Sequence, residues 1–152
     1  MKMSRRRVLA VASAGGHWIQ LLRVAPAFEG CDVAYVTVNP AYRSDVESAR
    51  FYAVADATRW SKLRLFQLAL QLMWVIARER PGLVVSTGAA PGLLALAIGR
   101  LIGARSIWID SIANVDELSL SGRLARHVAG LWLTQWEHLA HEGGPTYAGK
   151  VF

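Results

Sequence analysis

Two glycine-containing turns and one polar segment hold the residues that could do chemistry in this sequence. The first turn reads Ser-Ala-Gly-Gly-His at 13–17, the second opens with Thr-Gly at 87–88, and the polar segment starts at Asp110. Glycine lets a backbone approach a ligand closely, and the unpaired N–H groups of a helix start favour an anion such as a diphosphate. The alternative is that these glycines only form tight turns. The candidate phosphate-binding residues are Ser13, Gly15, Gly16, Thr87, Gly88, Ser111 and Ser119.

Two titratable residues are candidates for proton transfer. His17 falls at a predicted helix start, and an imidazole can take up a proton near neutral pH. A capping or ligand-orienting role for His17 is an equally weighted alternative. Asp110 is the rival acid or base, and its alternative is a turn aspartate that binds N–H groups. No metal site is predicted, because no metal-like spacing connects the other histidines, His127, His138 and His141.

Short apolar runs alternate with helical patterns along the chain. Strands are predicted at 7–13, 32–38, 51–55, 83–86, 106–110 and 131–135, with a last strand at 150–152. Helices are predicted at 17–28, 41–49, 62–80, 91–102 and 121–129. In the first helix, Leu21, Leu22 and Ala25 are the expected inner face. This alternation is typical of a parallel sheet with helices on both faces, so the predicted fold class is α/β, with one Rossmann-like domain over 1–152.

The polar and glycine-rich segments follow predicted strands one, four, five and six. Ligands of open α/β sheets bind at the carboxyl ends of the strands, so we expect these segments at one edge. The connections at the opposite edge, around Gly30, Pro81-Gly82 and Gly103, are short and chemically plain. Pro81 is expected to end the long helix and Gly103 to cap the next one.

Charge and composition exclude several classes of protein. The net charge of +6 suits nucleic acid, an anionic membrane surface or a phosphorylated substrate, or it reflects ordinary solvated charges. No RNA-binding aromatic motif, zinc spacing or dense basic helix supports nucleic acid. The first turn lacks the G-x-G-x-x-G pattern and no acid ends strand two, so a stand-alone NAD or FAD oxidoreductase is not expected. The single cysteine, Cys31, excludes an internal disulfide and a cysteine zinc site.

The first residues also resemble an export signal. Ser4 to Arg7 looks like a twin-arginine start, but the apolar run that follows, 8–14, is at the short end of the ~7–15 residues that a signal needs. Cleavage there would remove strand one. We therefore favour a basic start to strand one, which could contact lipid head groups.

The helical pattern at 62–80 is apolar around most of its circumference, whereas packing on a sheet needs only about a third. Its apolar stretch of about 13 residues is short of the ~20 that span a bilayer. An interfacial or partner-covered helix is therefore predicted, and burial within the chain is the alternative. The 53% hydrophobic composition also favours a covered apolar surface. The candidate membrane or partner surface comprises Arg59, Lys62, Arg64, Phe66, Leu70 and Trp74.

An ordered set of motifs resembles a known family. The segment "ASAGGHWIQLLRV" is similar to the first turn of MurG-type GT-B glycosyltransferases. The segments "VVSTGAAPGLLALAIGRLIGARSIWIDS", "LSLSGRLA", "LWLTQW" and "YAGKVF" resemble the Alg14-like family, which includes bacterial PssD-type proteins of capsule and exopolysaccharide synthesis. The resemblance covers nearly the whole chain.

The resemblance implies a Rossmann-like N-terminal half of a GT-B glycosyltransferase. A separate Alg13-like or PssE-like subunit would bind the UDP-sugar donor, so no cofactor is expected on this chain and the isolated chain is expected to be inactive. This chain would bind a polyprenyl-diphosphate-linked sugar acceptor at the cytoplasmic face of the plasma membrane. The alternative is a non-catalytic anchor that recruits and activates the partner. Eukaryotic members carry an N-terminal membrane anchor, and we expect this chain to use helix surfaces instead.

The resemblance also assigns positions. The family's first turn falls on Ser13, Gly15, Gly16 and His17, its second on Thr87, Gly88 and Pro91, and its third on Ser111, Ser119, Ser121 and Gly122. Asp110 stands where glutamate is usual, which shortens the reach of the carboxylate. Arg123 stands where lysine is usual and keeps the positive charge. Asn114 stands where arginine is frequent, so position 114 lacks the positive charge that the resemblance would place near a phosphate.

Overall fold

A wholly parallel sheet of seven strands forms the centre of the chain in a computed structural model, which describes residues 5–151. The strand order is β3-β2-β1-β4-β5-β6-β7, so the direction of winding reverses between β1 and β4. The strands are β1 Arg7–Val11, β2 Asp32–Thr37, β3 Arg50–Ala53, β4 Leu83–Ser86, β5 Arg105–Ile109, β6 Leu131–Thr134 and β7 Thr146–Tyr147.

Helices cover both faces of this sheet. The α-helices among residues 5–151 are α1 Gly16–Val24, α2 Lys62–Glu79, α3 Ala89–Leu101 and α4 Leu120–Leu124. Helical turns of the 3-10 type lie at Ala25–Phe28, Pro40–Val46, Ala125–His127 and Glu137–Leu139. One apolar core holds α2 and α3 against the sheet, and a second core on the other face holds α1. The α/β fold class with helices on both faces is confirmed.

The continuously apolar strands follow from this arrangement. In β1, Leu9 and Val11 enter the core with α2 and α3, while Val8 and Ala10 enter the core with α1. Because successive strand residues point to opposite faces, a strand covered on both sides must be apolar at every position. The run at 8–11 is therefore a central strand, paired with β2 and β4. Ser4, the first residue of the signal-like segment, lies outside the described residues.

The strand predicted at 150–152 is wrong. The last strand is Thr146–Tyr147, which pairs with β6 by placing Thr146 opposite Leu133. The chain then turns away, and the Val151 N–H donates instead to the Gln135 side-chain oxygen at 2.7 Å. Position 152 lies outside the described residues.

Two helices end where local proline and glycine signals predict, whereas the extents of other helices differ from the prediction. Arg80, in the left-handed conformation (φ 47°), precedes Pro81 and ends α2, and Gly103 (φ 82°) closes α3, as expected. The helix predicted at 41–49 is a 3-10 helix at Pro40–Val46, and the helix predicted at 121–129 consists of α4 followed by the 3-10 turn Ala125–His127. The buried residues of α1 are Trp18, Gln20 and Leu21, and the half-buried Leu22 packs against the same core. The prediction was therefore correct at Leu21 and Leu22 and missed Trp18 and Gln20. Within residues 5–151, no helix combines the length and apolar character needed to cross a membrane.

An ion-pair cluster closes the amino edge of the sheet beside β2 and β3. Arg50 donates to both carboxylate oxygens of the buried Glu79 and to Asp32, and the Tyr52 hydroxyl donates to Glu79. Burial raises the pKa of Glu79, but hydrogen bonds from Arg50 and Tyr52 outweigh it, so the net pKa lies below its ordinary value. The Arg50 hydrogen bond likewise lowers the pKa of Asp32.

Candidate functional site

Two strand-to-helix turns meet at the point where the strand order reverses. The β1–α1 turn carries His17 and the β4–α3 turn carries Thr87, 70 residues apart in sequence. The His17 Nδ1 lies 3.0 Å from the Thr87 carbonyl oxygen, and the Thr87 hydroxyl donates to the His17 carbonyl oxygen at 2.6 Å. This reciprocal pair joins the two turns at the crevice where open α/β sheets bind ligands.

The hydrogen bond to Thr87 fixes the tautomer of His17. A carbonyl oxygen can only accept, so the neutral imidazole must carry its proton on Nδ1. The Nε2 atom is then left with a lone pair, and it has no hydrogen-bond partner among residues 5–151. In this neutral form the half-buried ring presents Nε2 as an acceptor, which is what a general base needs.

The close approach of the two turns depends on Gly88. A Cβ atom at this position would lie 2.3 Å from the His17 Nδ1, and the backbone φ of 145° also disfavours any side chain. The next residue, Ala89, adopts a left-handed φ of 66°, which costs a non-glycine residue about 1 kcal/mol. The turn is thus held in a geometry that local preferences oppose, a frequent feature of functional sites.

Both turns end in helix N-termini that no side chain caps. Gly15 (φ 69°) precedes α1, and Gly88 precedes α3. The N–H groups of the first turn of a helix lack partners within the helix, and the helix dipole adds partial positive charge there. Ser13 is half-buried in the β1–α1 turn, and its carbonyl oxygen accepts a hydrogen bond from the Thr37 hydroxyl. Two uncapped N-termini at one crevice suit an anionic ligand.

Asp110 lies at the end of β5 with its carboxylate fully engaged. The carboxylate is 1% exposed and accepts from the Trp108 indole, the Asn114 amide, and both the backbone N–H and the hydroxyl of Ser119. The Ser119 oxygen in turn accepts from the Gly122 N–H and caps α4. A Cβ at Gly122 would lie 2.2 Å from the carboxylate. The arrangement matches the N–H-binding alternative for Asp110 and ties the 111–119 loop to the sheet.

A buried amide network, which was not predicted from the sequence, connects α1 to this loop. Gln20 is 5% exposed; its Nε2 donates to the Ser111 hydroxyl at 3.2 Å, and its Oε1 accepts from the Ile112 N–H at 3.1 Å. Gln135, at the end of β6, donates to the same Gln20 oxygen and to the Asp110 carbonyl. The available signal was a glutamine directly beside Leu21 on the face of α1 that must pack on the sheet.

Only part of the apolar circumference of α2 is buried in the structure. Leu68, Leu72, Val75 and Ile76 are buried, and the half-buried Gln71 accepts from the Ala55 N–H at 2.7 Å. The exposed apolar face, here called the α2 face, consists of Leu63, Phe66, Leu70, Met73 and Trp74, with 86%, 64%, 49%, 52% and 58% of each residue exposed. Trp60, just before the helix, is 80% exposed, and the Arg59 guanidinium lies 4.6 Å from its ring centre.

The α2 face begins at the same edge of the sheet as the two turns. Because α2 follows the carboxyl end of β3, its first residues lie at the carboxyl edge, with Arg59, Lys62 and Arg64 around them. Trp74 lies further along, 6.0 Å from the Tyr52 ring. Among residues 5–151, no three His, Cys, Asp or Glu side chains are grouped so as to hold a metal ion.

The expectation that the opposite edge is chemically plain is wrong. A cavity of about 1080 Å³ lies at the amino ends of β1, β4, β5 and β6. Four arginines line it: Arg6, Arg7, Arg100 and Arg105. The sequence did not predict this cavity because its lining comes from five separate segments, which only the tertiary structure brings together.

The strand order and the crevice define the class of protein, a Rossmann-like N-terminal half of a GT-B glycosyltransferase fold. The MurG structure of Acinetobacter baumannii superposes with a TM-score of 0.75 at 15% identity, over 94% of this chain and 45% of that one. A UDP-N-acetylglucosamine 2-epimerase of Rickettsia bellii matches with a TM-score of 0.67 at 12% identity, over 88% and 40%. The chain spans less than half the length of either protein, and these likenesses show the fold.

The family follows from the sequence comparisons. The family described as "Oligosaccharide biosynthesis protein Alg14 like" matches residues 46–151, and this chain belongs to it. The chain is 24% identical to the mouse protein named UDP-N-acetylglucosamine transferase subunit ALG14, over 95% of this chain and 82% of the relative. The protein of the same name from Eremothecium gossypii is 26% identical, over 89% and 75%.

Proposed function

We propose that this chain is the acceptor-binding subunit of a two-component glycosyltransferase that acts in lipid-linked oligosaccharide or exopolysaccharide synthesis. The observation that carries the proposal is the crevice at the strand switch point, where the His17–Thr87 hydrogen bonds join two helix N-termini that no side chain caps. Membership of the Alg14-like family and the names of the mouse and fungal relatives support it. An Alg13-like or PssE-like partner binds the UDP-sugar donor.

The reaction needs a base and an anion site, and this chain offers both. The starts of α1 and α3 hold the diphosphate of a polyprenyl-diphosphate-linked acceptor. His17 Nε2 takes the proton from the acceptor hydroxyl as its oxygen forms a bond to the anomeric carbon of the donor sugar. The bond between that anomeric carbon and the phosphate oxygen of the UDP group breaks. Its electron pair leaves with UDP, which is bound to the partner subunit. Ser13, Gly15, Gly16, Thr87 and Gly88 shape the anion site.

Asp110 acts by positioning in this scheme. Its carboxylate already accepts four hydrogen bonds and has no lone pair directed at the crevice for a substrate proton. Together with Ser111, Ser119 and the Gln20 amide, it holds the 111–119 loop beside the acceptor. The loop then contributes to acceptor affinity.

The α2 face rests on the cytoplasmic surface of the plasma membrane. The lipid of the acceptor lies in the bilayer, so the crevice edge must approach the membrane. Leu63 and Phe66 lie at that edge with Arg59, Lys62 and Arg64 beside them, an apolar face flanked by positive charge that suits an anionic interface.

The test is transfer by the purified pair. The tagged chain is isolated with its bound donor subunit and assayed with a polyprenyl-diphosphate-linked sugar and UDP-N-acetylglucosamine, the donor that the names of the relatives suggest first. We expect His17→Ala to lower kcat by about 100-fold or more, the usual contribution of a general base. His127→Ala, which changes an exposed histidine on the 3-10 turn Ala125–His127, is the control. Full activity of His17→Ala in an intact complex would overturn the base assignment and favour an anchoring role.

A further inference from the structure

The cavity at the amino edge, here called the amino-edge cavity, is a second candidate binding site. It is about 1080 Å³ in volume and lies at the starts of the four central strands. The five residues of β1, at about 3.3 Å each, place it ~17 Å from the His17 crevice. The two sites therefore open at opposite edges of the sheet, and no residue lines both.

The charge of this cavity has one sign. Arg6, Arg7, Arg100 and Arg105 line it, and no carboxylate does. Within residues 5–151, none of these four side chains forms an ion pair. The nearby acid groups are already engaged, because Asp32 and Glu79 both bind Arg50. Four arginines around one concave surface without a counter-charge favour an anionic ligand.

The floor of the cavity is apolar, and its backbone groups are satisfied. Val8, Phe28, Leu83, Ile107, Val128 and Leu131 line it. The turn backbone pairs internally: the Gly82 N–H donates to the Arg7 carbonyl, and the Arg105 N–H donates to the Gly82 carbonyl. Ser106 donates to the Val128 carbonyl and accepts from the Gly130 N–H. These polar groups already have partners within the chain, so the six apolar side chains favour a ligand with an apolar part.

We propose that the amino-edge cavity binds an organic phosphate that carries an apolar chain. The phosphate lies among the arginines at the rim, where guanidinium groups match its oxygens, and the chain covers the apolar floor. This site is separate from the acceptor crevice and does not depend on the proposed transfer. The same chemistry could be presented by a membrane phospholipid or by a soluble lipid phosphate.

The probe is dodecyl phosphate, titrated calorimetrically into the purified chain below its micelle concentration. We expect one site per chain and at least a tenfold loss of affinity in the double variant R6Q/R105Q. Neither side chain has a hydrogen bond within residues 5–151 that its loss would break. R23Q/R43Q removes the same charge from other exposed positions and should bind like the original chain. Equal affinity in the two double variants would overturn the proposal, as would equal binding of dodecyl maltoside, which has the chain without the phosphate.

A second variant tests whether the cavity is the site, without changing the charge. Ala27 is exposed at the rim, and Ala27→Trp should weaken dodecyl phosphate binding while circular dichroism shows an intact fold. Undiminished binding by a folded Ala27→Trp chain would count against the cavity as the site. Flotation with phosphatidylglycerol vesicles separates the sources. If vesicle binding is lost in R6Q/R105Q, the ligand is a membrane lipid. If vesicle binding is unchanged while dodecyl phosphate binding is weakened, the ligand is a soluble lipid phosphate.

Discussion

The imidazole of His17 packs so closely on the backbone of Gly88 that a Cβ atom there would lie 2.3 Å from Nδ1. The contact joins the first turn of the chain to the second across the centre of the sheet. It makes glycine at 88 a condition for the position of the histidine, and the hydrogen bond to the neighbouring Thr87 depends on the same approach.

Gly88→Ala should therefore displace the His17 ring. We expect transfer by the complex to fall by about 100-fold, as for loss of a general base, and the free energy of unfolding to fall by about 1–3 kcal/mol from the strained φ and the clash. Gly82→Ala is the matched control, since a Cβ there has nothing nearer than 3.9 Å. Steady-state kinetics and urea unfolding measure both effects. An unimpaired Gly88→Ala complex would show that the ring has no role in transfer.

Asp110→Asn should affect stability and acceptor affinity more than turnover. The asparagine amide would turn N–H groups toward at least one of the four donors that now meet the carboxylate. Unmatched buried donors cost about 1–3 kcal/mol each, so we expect a loss of stability of ~2 kcal/mol. KM for the acceptor should rise with the loosened 111–119 loop, and kcat should change little. Asp116→Asn, an exposed acid, is the control. A large fall in kcat at unchanged KM would instead assign Asp110 to proton transfer.

The Glu79 cluster should make folding sensitive to acid. Its folded-state pKa is lowered, so the unfolded chain binds more protons, and stability is full above the ordinary pKa of 4.5. This contribution is lost as the pH falls through the folded-state value. Asp32, whose pKa Arg50 also lowers, adds to the same trend. We expect urea unfolding from pH 7 to pH 3 to show a smaller loss of stability in Glu79→Gln than in the original chain, with exposed Glu47→Gln as the control. Parallel pH profiles would contradict the account.

Exposed apolar residues at the crevice edge should carry membrane binding. We expect the double variant L63S/F66S to lose at least tenfold in affinity for vesicles of phosphatidylglycerol and phosphatidylcholine. Full burial of one such apolar side chain, here in the membrane, is favourable by about 1.5–3 kcal/mol. L101S/I102S changes two exposed apolar residues, 86% and 53% exposed, at the opposite edge. Flotation should leave this control bound. Equal loss in both variants would mean that the α2 face does not define the orientation on the membrane.

Several predictions from the sequence were correct because their signals are local. The apolar run at 8–11 is central because both faces of β1 are covered, and parallel strands bring the residues that follow them to one edge. Pro81 and Gly103 ended helices through backbone preferences that need no tertiary contact. The strand at 150–152 was misplaced because a two-residue strand forms only where a neighbour offers a register, and the Gln135 side chain takes the Val151 N–H instead.

The sequence by itself determined the fold class, the edge that carries the glycine turns and the place of His17 at a helix start, because periodicity and turn residues act within a few positions. Only the tertiary structure decided what those residues face. It gave His17 its tautomer through Thr87, joined Gln135 to Gln20, and buried Gln20 against the Ser111 loop. It also gathered four arginines around the amino-edge cavity. These relations join residues tens of positions apart, and no local pattern encodes a distance across the sheet.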